Sequence, residues 1–237
     1  MNDSKNHDAL ALDQIEFQWS GRDAFALKVA DFRIAQGERV LLLGESGSGK
    51  STLLSLICGI NAPQSGAIRV DGTDLATLRP AGRDRFRAEK IGIVFQQFNL
   101  LPYAAPIDNI VLPLRFAPAR RARAGDARAA ALALTDALGL SRDIIETSTA
   151  DRLSVGQQQR VAVARALIGA PSLIVADEPT SALDAGAQAN FLDLLFAQCA
   201  AAGSTLLMVS HDERLAPRFD RSVRMEDIAI FAREAAQ

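Results

Sequence analysis

The run Gly44-Glu45-Ser46-Gly47-Ser48-Gly49-Lys50-Ser51 constrains this chain more than any other stretch. It follows a short apolar segment, residues 39–43, and leads into residues 50–57, whose composition is helical and which Gly59 can stop. A glycine-rich turn between a buried strand and a helix fits the pattern G-x-x-x-x-G-K-[ST]. Its glycines let the backbone turn back and present successive N–H groups as a cup for phosphate oxygens. The helix that follows directs its positive end at the same anion. Gly44, Glu45, Ser46, Gly47, Ser48 and Gly49 therefore read as phosphate-binding backbone. Lys50 reads as the cation bridging the β- and γ-phosphates, Ser51 as a hydroxyl ligand for Mg2+, and Thr52 as their neighbour in the first helical turn. Such loops serve kinases, GTPases, helicases and transporters alike, so the motif specifies nucleotide binding and leaves the use of the nucleotide open.

The rest of the chain supplies the frame such a loop needs. Ile15, Phe17 and Trp19 alternate as a half-buried strand does, and residues 25–34 read as a second strand. Ile68 and Val70 ahead of Asp71-Gly72 predict a strand and a tight turn. Residues 91–95, 173–176 and 205–209 are continuous apolar runs of strand length, and Leu192, Leu195, Phe196 and Cys199 form the stripe of an amphipathic helix. Strands alternating with helices imply an α/β fold with a mostly parallel sheet and an N-terminal antiparallel β region. Residues 99–165 differ: Pro102, Pro106, Pro113 and Pro118 precede an Ala-rich helical stretch at 124–140, which predicts a helical insertion over about 98–165. Residues 1–10 are expected to be a flexible N-terminus, with one domain over 11–237.

With a formal net charge of −2, the chain gives no general electrostatic case for nucleic acid. Arg115, Arg120, Arg121, Arg123 and Arg128 share a stretch whose one acid is Asp126, and read first as a solvated helical face, with lipid headgroups or an acidic partner as the alternative. Cys58 and Cys199 lack metal-ligand spacing and read as buried thiols in a reducing compartment. The N-terminus lacks the basic start and apolar core of a signal peptide, and no apolar run reaches the roughly 20 residues that cross a bilayer.

Asp177 and Glu178 end the apolar run 173–176. A carboxylate at the end of a neighbouring strand is where Mg2+ needs a further partner, which suits Asp177. Glu178 is then placed to polarise an attacking water as general base. An acidic pair that merely caps a helix is the alternative reading.

Leu153-Ser154-Val155-Gly156-Gln157, followed by Gln158-Gln159-Arg160 and the run to Leu167, resembles the signature sequence of ABC transporter nucleotide-binding subunits. Other marks follow that family's order. Gln96 ends the 91–95 run as the Q-loop glutamine does, Ser181-Ala182-Leu183-Asp184 looks like the D-loop, His211 resembles the switch histidine, and Trp19 stands where the family places an aromatic against adenine. The resemblance spans about residues 13–230 and implies a P-loop NTPase core that binds ATP and Mg2+ and hydrolyses ATP as a homodimer. It implies Lys50, Glu178 and His211 as catalytic, and Ser51, Gln96 and Asp177 around the metal. Ser154, the Gly156 amide and Gln157 would meet ATP held by the other subunit. It further implies separate integral membrane permease subunits and a peripheral place on the cytoplasmic face of the plasma membrane. Residues 95–102 and 108–114 look like the branch serving lipoprotein release and macrolide export, whose four-helix permeases transmit mechanical motion. A coupling module that drives a periplasmic partner without transport belongs to the same branch. A soluble DNA-repair or translation ATPase of this type usually carries coiled coils, zinc insertions or tandem domains, none of which is visible here.

Two departures stand out. Val155 replaces the first glycine of the signature, and valine resists positive φ, so an intact loop requires an ordinary backbone angle there. Asp227-Ile228 replaces the usual Asp-Gly of a C-terminal hairpin, a change expected to affect only a turn.

Overall fold

The computed structural model describes residues 8–19, 25–181 and 183–233. In chain order its strands are β1 (Asp8–Gln18), β2 (Phe25–Ala35), β3 (Arg39–Leu43), β4 (Ser65–Val70), β5 (Thr73–Asp74), β6 (Ile91–Val94), β7 (Leu173–Asp177), β8 (Thr205–Ser210), β9 (Arg221–Arg224) and β10 (Ala229–Arg233). Its helices are α1 (Lys50–Ile57), α2 (Pro80–Lys90), α3 (Pro106–Val111), α4 (Pro118–Ala124), α5 (Ala127–Ala137), α6 (Arg142–Thr147), α7 (Val155–Leu167), α8 (Ala185–Ala202) and α9 (Met225–Ile228). The chain divides into two compact units, one made of Met1–Arg87 with Thr205–Gln237 and the other of Ala88–Ser204.

The first unit holds an antiparallel sheet in the order β10-β2-β1-β4-β5. Leu12 opposes Phe32 and Ile68, and Ile15 opposes Val29, buried apolar pairs that tie the three strands together. Asp71 (φ 49°) and Gly72 (φ 75°) both take the left-handed region between the paired Val70 and Thr73, the turn that suits the strand twist of a two-residue hairpin. Strand β3 runs parallel to both β8 and β9, and its last four residues are buried, which is why it reads as an unbroken apolar run.

Two boundaries differ from expectation. Strand β1 begins at Asp8, and Ala9 and Leu10 are buried in it, so the flexible segment does not extend to residue 10; residues 1–7 lie outside the described residues. Asp227 and Ile228 are not in a hairpin. They end the helical turn α9, and the strands on either side join different sheets, β9 beside β3 and β10 beside β2.

In the second unit β6 and β7 pair in parallel from Ile91↔Leu173 to Val94↔Ala176. The insertion is helical as expected, from α3 to α7. Gly125 (φ 63°, ψ −117°) breaks the arginine-rich α4 from α5, and Asp126 caps α5 by accepting from the N–H groups of Arg128 and Ala129. Helix α7 passes so close to β6 that a Cβ on Gly92 would lie 2.2 Å from the Ala166 carbonyl oxygen. The stripe Leu192, Leu195, Phe196 and Cys199 is buried along α8.

The arginine stretch is not uniformly solvated. Arg120 is 2% exposed and its guanidinium donates to the carbonyls of Ile168 (2.5 Å), Ala166 (2.5 Å), Ala88 (3.2 Å) and Arg165 (3.3 Å). It thereby satisfies carbonyls left over at the end of α7. Burial pushes this guanidinium down to about 10, with Arg123 adding to the effect and Glu89 opposing it. Arg123 donates to the carbonyls of Gly169 and Glu89, and Arg128 pairs with Glu146, but both are exposed, as are Arg115 and Arg121, so Arg120 is the buried member of the set.

Candidate nucleotide site

Because Leu43 and Ser210 are register partners on parallel strands, Gly44 and His211 emerge side by side at the same end of the sheet. The Gly44 N–H donates to the Ser210 carbonyl at 3.3 Å and starts the loop. The loop then folds tightly. Ser48 N–H donates to Glu45 O at 3.2 Å, Gly47 (φ 81°) and Gly49 (φ 92°) adopt left-handed angles, and Gly49 forms the N-cap of α1. A Cβ on Gly44 would lie 2.7 Å from Ser48 Oγ and 3.0 Å from Met225 Cβ, so a larger residue there would have to displace both side chains. Glu45, Ser46 and Gly47 are exposed, whereas Ser48 and Lys50 are buried. The Lys50 ammonium donates to the carbonyls of Gly44 (2.5 Å) and Glu45 (2.7 Å). Residues 44–48 line a cavity of about 620 Å3 together with His211, Arg224 and Phe231.

Trp19 follows the last residue of β1. Its Nε1 donates to Thr52 Oγ1 at 3.3 Å, which fixes the indole beside the first turn of α1. The ring meets Phe17 edge to face with centroids 5.2 Å apart, and 44% of the residue is exposed. Phe17 is buried, so Trp19 is the aromatic with surface available for a base. The first unit thus brings together Trp19, the phosphate loop with Ser51 and Thr52, and His211.

The second unit carries the other predicted residues. Asp177 ends β7 half-buried after four buried residues, and Glu178 follows at φ 46°. The Ser181 N–H donates to Glu178 O at 3.2 Å and closes a turn. Ser181 is exposed, Ala182 lies outside the described residues, and Asp184 is the N-cap of α8, accepting from Ala187 N–H at 2.8 Å. Gln96 is exposed two residues beyond β6, which stops at Val94, one residue short of the predicted run.

At the signature, Ser154 is the N-cap of α7. Its hydroxyl accepts from Gln157 N–H at 3.3 Å while Gln157 Oε1 accepts from Ser154 N–H at 2.9 Å, a reciprocal capping box. Val155 is the first residue of the helix and 51% exposed, which resolves the valine problem: the position is helical and does not require glycine. A Cβ on Gly156 would meet nothing within 4 Å in this chain.

Three further residues belong to this framework and were not singled out from sequence. Gln159 Nε2 donates to Pro179 O at 2.5 Å. Arg165, whose pKa burial lowers, donates to the carbonyls of Phe98 and Asn99, both at left-handed φ (58° and 48°), just beyond Gln96. Asn109 is fully buried and holds the Leu101 backbone at both its N–H (2.7 Å) and its carbonyl (3.1 Å). A buried polar residue in a helical sequence pattern gives no sign of which backbone group it will meet.

Comparison with known proteins agrees with this geometry. A family model described as ABC transporter matches residues 27–181. The chain is 40% identical over 201 residues to the lipoprotein-releasing system ATP-binding protein LolD of Syntrophotalea carbinolica, covering 85% of this chain and 86% of that protein. It is 38% identical to the macrolide export ATP-binding/permease protein MacB of Rhodopirellula baltica, covering 90% of this chain and 31% of that longer protein. Among solved structures, the ATP-binding cassette MJ0796, a dimer in a post-hydrolysis state bound to ADP and Pi, superposes with a TM-score of 0.77 at 34% identity, covering 91% of this chain and 93% of that one.

Proposed function

Because this chain belongs to the ABC transporter family, we propose that it works as the ATP-hydrolysing half-site partner in a homodimer that drives separate membrane-spanning subunits. The chain is an ATPase of the ABC type, converting ATP and water to ADP and phosphate. The observation that carries the reading is the folded phosphate loop with Lys50 at its base and Trp19 tethered beside it at Thr52.

In this reading the loop amides and Lys50 hold the phosphates, and Lys50 exchanges its two carbonyl partners for phosphate oxygens. Trp19 stacks on the base. The Ser51 hydroxyl, the Asp177 carboxylate and the Gln96 amide oxygen are hard oxygen donors of the kind Mg2+ takes, and would hold it. Bound there, the ion neutralises charge on the phosphates. Glu178 accepts a proton from the attacking water, and His211 contacts the terminal phosphate. Ser154, the Gly156 amide and Gln157 act on ATP in the other subunit. The exposure of Ser154 and Val155, and the open space around Gly156, support that role. Ser181 and Asp184 belong to the same dimer surface.

The finer reading is a permease of the mechanotransmission type, supported by relatives named for lipoprotein release and macrolide export. No described helix is long and apolar enough to cross a membrane, and the proposal assigns the spans to other chains, with this one peripheral on the cytoplasmic face. Purified protein should hydrolyse ATP in Mg2+, and Lys50→Ala should abolish turnover and greatly weaken binding. Native complex extracted in detergent should contain a permease. Full turnover in Lys50→Ala, or extraction of this chain with no membrane protein, would overturn the respective part.

A further inference from the structure

We propose that Gln159 is a positioning residue for Glu178, acting through the Pro179 carbonyl. The proposal rests on the reading of Glu178 as general base. Glu178 has φ 46°, an angle that a residue with a Cβ seldom adopts. The proline that follows further restricts its backbone and disfavours compact conformations. A residue placed in this way persists only where its surroundings over-determine it.

Hydrogen bonds from within the same unit hold the turn. The Ser181 N–H donates to Glu178 O at 3.2 Å, and Gln159 Nε2 donates to Pro179 O at 2.5 Å. The second comes from another element, α7. Gln159 is 2% exposed, Thr180 is 3% exposed, and the bond is fully buried, so water does not readily replace it. On its other side, Thr180 Oγ1 accepts from Gln188 Nε2 of α8 at 3.2 Å.

Gln159 sits on α7 just ahead of Val161, Ala162, Val163 and Ala164, which are all fully buried. Such a helix turn cannot shift without repacking its neighbours. The same helix opens on the Ser154 capping box. One rigid element therefore carries the signature at its N-terminus and, five residues on, fixes the turn that aims Glu178. A buried glutamine satisfying a carbonyl for stability alone would show a different kinetic pattern.

The test is steady-state ATPase and ATP binding on the full chain. Gln159→Met keeps the volume and removes the donor, whereas Gln159→His keeps an N–H at similar reach. Gln159→Met should lower kcat about ten- to a hundredfold, the scale of an ångström-level misplacement, with KM and the ATP Kd unchanged. Gln159→His should recover most of the loss. If Gln159→Met does not fold, Gln159→Leu also removes the donor at similar volume and should show the same split. An unchanged kcat, or a loss shared with ATP binding that histidine does not rescue, overturns the proposal. Glu178→Gln is measured alongside. If that variant keeps wild-type turnover, the base assignment fails, whereas an inactive Glu178→Gln beside a fully active Gln159→Met refutes the positioning role alone.

Discussion

Replacing Arg120 with methionine measures how much of the helical unit hangs on one buried guanidinium. Its two shortest bonds go to the carbonyls of Ala166 and Ile168, residues that are 3% and 0% exposed. Leaving a buried acceptor unpaired costs about 1–3 kcal/mol, or roughly 2–6 kcal/mol for both. Against this stands the cost of burying the charge. The fall of its pKa to about 10 corresponds to about 3 kcal/mol against the charged form. Methionine removes that cost while filling similar space, so the net effect of Arg120→Met runs from about −1 to +3 kcal/mol and is predicted to be destabilising, by roughly 1 kcal/mol at the centre of that range. Arg120→Lys keeps the buried charge, but a single ammonium cannot reach carbonyls of residues 88, 166 and 168 at once. It is predicted to be the worse of the two. Urea unfolding reads the difference: with a slope of about 1–3 kcal/mol/M, Arg120→Met should lower the midpoint by about 0.5 M, and hydrogen exchange should speed up at the end of α7. A lysine variant more stable than the methionine variant would show that charge, and not the planar fork, holds these carbonyls.

Trp19→Ala should weaken ATP binding by roughly 1–3 kcal/mol, the scale of base–aromatic stacking, with little change in ATP-to-GTP preference; titration of fluorescent nucleotide reads both, and unchanged affinity would remove Trp19 from the site. Val155→Gly should leave ATPase activity normal or modestly raised, since the helical position at 155 accepts either residue, and a collapse would mark the valine as an adaptation. Glu178→Gln should run as a dimer with ATP and a monomer with ADP on size exclusion. Adding Ser154→Asp, which keeps the helix cap but sets a carboxylate against the phosphate, should restore the monomer; a persistent dimer refutes the trans role of Ser154. Asp220 is held below the ordinary carboxylate range by its hydrogen bond to Arg39. Its contribution to stability is therefore present above that range and lost as pH falls through its lowered pKa, and the acid limb of a thermal-midpoint profile should flatten in Asp220→Asn.

Segments whose fate is settled by their own composition were legible. Residues 40–43, 173–176 and 206–209 are apolar throughout because both faces of those strands are covered, and the predicted runs 39–43, 173–176 and 205–209 each lie within a residue of the observed element. The phosphate loop was legible because its glycine angles are local demands. Other segments take their structure from distant partners. Strand β1 is buried on consecutive residues at 9–12, which hides the alternation that marks a half-exposed strand. Helix α2 has no buried residue and so no apolar stripe to read. Arg120 sits among exposed arginines, and nothing in the sequence distinguishes the one that meets carbonyls 46 and 48 residues away. Gln159 and Arg165 were missed for the same reason.

The crossing of the C-terminal segment between two sheets has a consequence for association. Strand β9 covers one side of β3, and β10 covers one side of β2. A stop after Asp220 would strip both at once and leave two rows of unpaired backbone N–H and C=O groups, one on each sheet. Met225, packed beneath Gly44, would go with them. Bare edges of this kind recruit strands from other molecules, so the shortened chain should be lost to precipitation, even at temperatures where the remaining core is still folded.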